Sequence, residues 1–182
     1  MTEAVNPQAS IVLSPDEGET VWLRKLGVRF MIGGEQTQGN FALVEHPIKP
    51  RALAAPMHTH RHEDEYTYVL DGEIGVQIGE EVRVARPGDL VFKPRGVPHA
   101  FWNAADTPAR ALEIISPAGF ERYFAELAPL LPPANQGPLD EEAVVAVRAK
   151  YELEMDMSSI AVLVERHGLA IDAPPPSDQY HR

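Results

Sequence analysis

Cysteine is absent from the 182 residues. That excludes disulfides and thiolate metal sites, so any metal must be held by nitrogen and oxygen donors. Basic residues are few. Lys and Arg number 16 against 27 Asp and Glu, a formal net charge of −11. Such a chain repels phosphate backbones, and its longest basic cluster is Arg24-Lys25, so nucleic acid is not an expected partner. Long apolar runs are missing too. Ile11-Val12-Leu13 is far too short to span a bilayer, and the start Met1-Thr2-Glu3-Ala4-Val5 lacks the basic and apolar stretches of a secretion signal. No membrane partner and a cytoplasmic location are therefore expected. There is no βαβ rhythm, no glycine-rich phosphate loop and no internal repeat.

What is present is punctuation. The chain has 17 prolines and 13 glycines, set between short apolar runs. Strands are predicted over 21–26, 28–32, 41–45, 66–70, 73–78, 81–85, 90–93, 99–102 and 111–115. Glu73-Ile74-Gly75-Val76-Gln77-Ile78 alternates, which means one packed and one wet face. Asp71-Gly72 favours a tight hairpin, and Gly79-Glu80 repeats the signal. Many short strands joined by tight turns indicate a mainly β sandwich or barrel.

The character changes after Ser116. Phe120, Phe124 and Leu127 fall at helical spacing, and Pro129, Pro132 and Pro133 stop that helix. Asp140 reads as an N-cap, opening a helix predicted to run from Glu141 to Met155. Another is predicted from Ser158 or Ser159 to Gly168, a C′ glycine. The tail 172–182, with Pro174-Pro175-Pro176, should be extended. The expected division is an N-terminal arm and β-barrel over 1–116 and a helical extension with a proline-rich tail over 117–182. The extension is too small for its own core, so it must pack on the barrel or on a second subunit.

The chemistry gathers in two places. His58 and His60 alternate, so on a strand they face one way and can address one ion. Glu65 has the opposite parity and joins them only if the chain bends within Arg61–Asp64. His99 opens another strand, which can lie opposite. His62 shares parity with His60 but sits in the expected bend; it reads first as a solvated rim residue and second as a pocket residue. His46 and His167 read as surface or helix-end residues. Phe101 shares parity with His99, and Thr67 and Val69 with Glu65, so these three should face inward and shape a substrate pocket. Tyr66, Tyr68 and Trp102 then face outward, against another layer, the helices or a partner.

The spacings form two patterns. His58-x-His60 is followed after four residues by Glu65 and after six more by Gly72. Gly88 is followed after five residues by Pro94-x-Gly96, after two by His99, and after three by Asn103; fifteen residues separate Gly72 from Gly88. These resemble the two signature motifs of the cupin superfamily, with the short gap between them, over about Ala52 to Asn103. Ala52 stands where the first motif usually has glycine, a change that touches a local bend and not the ligand set. The resemblance implies a double-stranded β-helix, or jelly-roll, barrel. It also implies one divalent transition metal ion (Fe, Mn, Ni, Co or Zn) held by His58, His60, Glu65 and His99.

A weaker similarity to bacterial quercetinase-like single-barrel cupins rests on Gly33-Gly34-Glu35-Gln36-Thr37 and Gly119-Phe120-Glu121-Arg122-Tyr123-Phe124. It implies a dioxygenase acting on a small aromatic or enol-type substrate, with Glu65 as catalytic base as well as ligand. Two other readings stay open: a non-redox metal-dependent isomerase, hydrolase or lyase, and a small-ligand binding or sensing cupin without turnover. Pairing of barrels in the family, with aromatics expected outside the barrel, leads to the expectation of a homodimer.

Overall fold

A computed structural model of the chain describes residues 11–131 and 139–170. Ten strands come first: β1 (Thr20–Leu23), β2 (Leu26–Ile32), β3 (Ala42–Ile48), β4 (Ala52–His60), β5 (Asp64–Asp71), β6 (Ile74–Ile78), β7 (Glu81–Ala85), β8 (Leu90–Lys93), β9 (His99–Asn103) and β10 (Ala109–Ser116). Then follow α1 (Glu121–Leu127), α2 (Glu141–Lys150), β11 (Leu153–Met155) and α3 (Ser159–His167). The strands form two antiparallel sheets, ordered β1-β2-β3-β10-β5-β8 and β11-β4-β9-β6-β7. Their inner faces meet in one apolar cluster that includes Val28, Val44, Val69, Val76, Phe101 and Ile115. This is a jelly-roll barrel, mainly β, with helices at its C-terminal end.

Three local expectations are corrected. The run 21–26 is not one strand: Arg24, at φ +60°, turns the chain, and Leu23 pairs with Leu26 in a two-residue hairpin that carries no glycine signal. Asp71-Gly72 is not a hairpin either. β5 pairs with β10 and β8, while β6 pairs with β9 and β7, so the chain passes there from one sheet to the other. Gly72 is needed for that corner, because φ is +71° and a Cβ would meet Ala109 at 2.8 Å. The true hairpin is Gly79-Glu80, where Ile78 pairs with Glu81.

The helix opening at Asp140 ends at Lys150 and not at Met155. Glu152 at φ +47° breaks it, and Leu153-Glu154-Met155 pair with His60-Thr59-His58 as a strand. Backbone groups along β4 offered ladder bonds that outweighed a helical preference over three residues. The other helix ends behave as read. The Asp140 side chain accepts from the Ala143 N–H at 3.0 Å, and Gly168 closes α3 at φ +61°.

The helices pack on this chain's own barrel. Phe120, Tyr123, Phe124, Leu127 and Val144 join the interior cluster. Leu163 and Leu169 form a second cluster with Leu53, Ala100 and Trp102 on the outside of the five-stranded sheet. Burying Leu163 there is worth about 1.5–3 kcal/mol. Val162, one position earlier on α3, is left half-exposed. No described helix is long and apolar enough to cross a membrane. The expected proline-rich tail, the start of the N-terminal arm and the Pro132-Pro133 stop lie outside the described residues.

Candidate metal centre

The parity problem posed by Glu65 is solved by the crossing between sheets. β4 lies in the five-stranded sheet and β5 in the six-stranded one. The chain crosses at 61–63, so Glu65 faces His58 and His60 from the opposite wall. His99 on β9 stands beside His58 in register. All four side chains are buried, and each offers a ligand atom within 4.8 Å of the others. The imidazole centroids lie 4.3 Å (His58–His99), 5.0 Å (His58–His60) and 5.4 Å (His60–His99) apart.

Tautomers follow from the backbone. His58 Nδ1 lies 2.8 Å from the Pro56 carbonyl and His99 Nδ1 3.0 Å from the Val97 carbonyl. Each Nδ1–H is thereby committed as a donor, which leaves the Nε2 lone pair free. Burial pushes the pKa of both rings down, well down for His58, so both are neutral, the form that binds metal. His60 has both ring nitrogens buried without a hydrogen bond; its Nε2 lies 3.3 Å from Glu65 Oε1. Buried polar atoms are normally satisfied. An orphaned imidazole beside a carboxylate and two oriented imidazoles fits a cation, and nitrogen and oxygen donors suit Fe(II), Mn, Ni, Co or Zn.

The sequence reading missed two further charges. Lys93 on β8 is 1% exposed, with Nζ 2.8 Å from Glu65 Oε2 and 3.0 Å from Glu113 Oε1. Glu113 on β10 accepts from Thr67 Oγ1 at 2.7 Å. Burial alone would raise the Glu65 pKa, but Lys93, His60 and His99 outweigh it and hold the carboxyl well below its usual range. Glu113 is pushed up to about 7, chiefly by burial, with Lys93 opposing and Glu65 adding to the rise. The ammonium stays charged: its two carboxylate partners outweigh the burial that would lower its pKa. A parity signal existed. Glu113 falls on the buried face of β10 with Ala109, Ala111 and Ile115, and Lys93 stands opposite Glu65 in register.

A cavity of about 280 Å³ opens from this cluster toward the helices. Its walls are largely apolar, with Leu26, Phe101, Phe120, Phe124 and Leu131 among them. Phe101 thus lies where the sequence placed it. Thr67 and Val69 face inward and are buried, but neither lines the cavity: Thr67 is spent on Glu113, and Val69 sits in the core. His62 is not a pocket residue. Its exposed ring lies 3.1 Å from Glu152, drawn outward by a carboxylate on the turn before β11. His46 is not on the surface. It lines the cavity because β3 runs on to Ile48; its Nδ1–H donates to the Gly27 carbonyl at 3.0 Å, and burial lowers its pKa to about 4. His167 ends α3, stacked on Trp102 with centroids 4.1 Å apart. The Asn103 amide orders the following turn, donating to the Lys49 and Thr107 carbonyls and accepting from the Ala105 N–H.

Residues 45–115 match the family model of the cupin domain. A segment of 61 residues is 39% identical to the tetracenomycin polyketide synthase protein TcmJ of Streptomyces glaucescens; it amounts to 33% of this chain and 40% of that protein. The chain thus spans well under two thirds of that relative's length. Among solved structures, KdgF from Halomonas sp. superposes with a TM-score of 0.56 at 16% identity, over 63% of this chain and 99% of that one. The polyketide cyclase RemF from Streptomyces resistomycificus superposes with a TM-score of 0.53 at 22% identity, over 59% and 80%. At these identities the superpositions establish the fold and not the reaction. Barrel topology, the buried His58–His60–Glu65–His99 cluster and the family match converge on one conclusion: residues 45–115 form a cupin domain.

Proposed function

We propose that this protein is a metal-dependent enzyme acting on a small aromatic or enol-type oxygenated substrate, and that the reaction is a dioxygenation. The observation that carries the reading is the junction of two features: an orphaned buried His60 in a three-imidazole, one-carboxylate cluster, and an apolar cavity that opens from it. A divalent ion held by His58, His60, Glu65 and His99 would supply Lewis acidity, lowering the pKa of a bound hydroxyl and stabilising its oxyanion. Lys93 occupies Glu65 Oε2, so a substrate proton goes to Oε1, on the side of His60. Phe101 and Phe120 keep water from the reacting oxygen.

A second reading is a non-redox cyclase or isomerase. It is favoured by the likeness to a polyketide synthase protein and a polyketide cyclase. The test has two stages. Elemental analysis of protein purified without chelators should find close to one transition-metal ion per chain, and His58→Ala or His99→Ala should remove most of it. Full occupancy in both variants overturns the ligand assignment. Oxygen uptake with 3-hydroxyflavone supports the oxygenase. Turnover of enol-type substrates that persists without oxygen supports the second reading. Saturable binding with no turnover in either atmosphere leaves a ligand-binding cupin.

A further inference from the structure

The cavity has a second polar end, on the helical extension and outside the segment matched to the cupin family. Tyr123 on α1 and Arg148 on α2 both line it. Tyr123 is 3% exposed, and its buried hydroxyl has no hydrogen bond of proper length and angle, although it lies against the Arg148 guanidinium. Arg148 Nε is buried and equally unpartnered, and no carboxylate pairs with this guanidinium among the described residues. Arg148 as a whole is only partly buried, but buried donor atoms are normally satisfied. Here two donor groups line one largely apolar cavity, and among the described residues no carboxylate accepts from them.

The charge of the cavity points the same way. Its wall carries the cations Arg24, Lys93 and Arg148 against the carboxylates Glu65 and Glu113, in a chain whose net charge is −11. Phe120 stands between the two polar ends. Its ring centroid is 4.3 Å from that of His60 and 4.8 Å from that of Tyr123. One aromatic ring therefore separates the metal cluster from the tyrosine.

We propose that Tyr123 and Arg148 form an oxyanion-recognition subsite, which binds a carboxylate or phenolate oxygen of a small aromatic molecule while the rest of that molecule lies along Phe120. A planar guanidinium fork gives two parallel charge-assisted bonds to a carboxylate, and the phenol adds a third donor. Burial raises the Tyr123 pKa, which keeps this hydroxyl a donor near neutrality. The inference deepens the proposed function by adding an acidic group to the substrate class, and it rests on that reading only for what the metal end binds.

Isothermal titration calorimetry with naphthalene-2-carboxylate and naphthalene-2-carboxamide tests it, on chelator-treated and on metal-loaded full-length protein. The acid is expected to bind at least about tenfold more tightly than the amide in both forms. Arg148→Met should abolish that preference, Arg148→Lys should keep part of it, and Tyr123→Phe should reduce it severalfold, with metal content unchanged throughout. Tyr123→Phe preserves shape and carries the test alone if Arg148→Met does not fold. A preference that survives both substitutions overturns the subsite, as does no detectable binding of the acid. A preference seen only in metal-loaded protein places the carboxylate on the metal; it sinks the subsite and leaves the metal reading standing. Absence of metal in purified protein would instead sink the metal reading while the chelator-treated result stands.

Discussion

Replacing Lys93 by Met removes the one cation that lies between two buried carboxylates, at 2.8 Å from Glu65 and 3.0 Å from Glu113. Methionine fills similar volume, so the loss is electrostatic. Removing one partner of a buried ion pair costs about 3–5 kcal/mol, because the remaining charge has neither water nor counter-ion. At about 2–4 °C per kcal/mol for a chain of this size, metal-free Lys93→Met should melt roughly 6–20 °C below wild type. The pH dependence has a definite sign. A depressed Glu65 pKa stabilises the fold above the unfolded value of 4.5 and stops doing so as pH falls through the folded value. Lys93→Met forfeits that term, so its deficit should hold from pH 7 to about 4.5 and shrink as pH falls further. Adding Glu113→Gln removes the second carboxylate and should recover at least about 1 kcal/mol. The same lysine competes with any cation for Glu65, so Lys93→Met should bind metal more tightly. Thermal and guanidinium unfolding followed by circular dichroism in EDTA, with a metal titration alongside, checks all of this. A variant melting within a degree or two of wild type, or a double variant no more stable than the single, refutes the reasoning.

Three further expectations are independent of it. Glu65→Gln keeps the shape and removes the basicity, so metal content should persist while kcat falls at least about a hundredfold; wild-type rates would remove Glu65 as the base. Burial holds His46 at about 4, below its unfolded 6.5, so the fold excludes a proton that the unfolded chain binds between those values. Stability should drop as pH falls through that window, by about 3 kcal/mol from this residue, and His46→Phe should flatten the slope measured by denaturation in EDTA. A homodimer joined through the outside of the six-stranded sheet is proposed from Tyr68, Leu90, Phe92 and Ile114, exposed on adjoining strands; light scattering should show a dimer that Leu90→Arg with Phe92→Arg dissociates, and a monomeric wild type would refute it.

Strands with period-two alternation and helices with explicit caps were legible in the sequence, because those signals are local. β10 and α3 are examples. β4 was not among the alternating runs: Ala52–Met57 is small and apolar, and only its two histidines betrayed a shared face. β11 was hidden because three residues carry no periodicity and owe their conformation to the strand beside them. At the site, the ligand spacing was legible and the counter-charges were not. Lys93 reads as an ordinary strand end, and Leu90 and Phe92 on the same strand point outward while the lysine points in, the reverse of the usual expectation. His46 was misplaced because the predicted strand 41–45 stops one residue short of it, whereas β3 runs on to Ile48.

The short pairing of β11 with β4 has a consequence for how the molecule is put together. Without it, His58 and His60 would sit on an unpaired edge, open to solvent and to any foreign strand. With it, Leu153 and Met155 stand directly opposite His60 and His58, and the Asp156 N–H reaches back to the Met57 carbonyl at 2.8 Å. The strand that presents two ligands is therefore clamped by the segment linking α2 to α3. Docking of the helices and any occupancy of the cluster would be reciprocal: whatever steadies β4 from inside would protect the amides of β11 from exchange, and whatever frays β11 would loosen the grip on an ion held there by the same free energy.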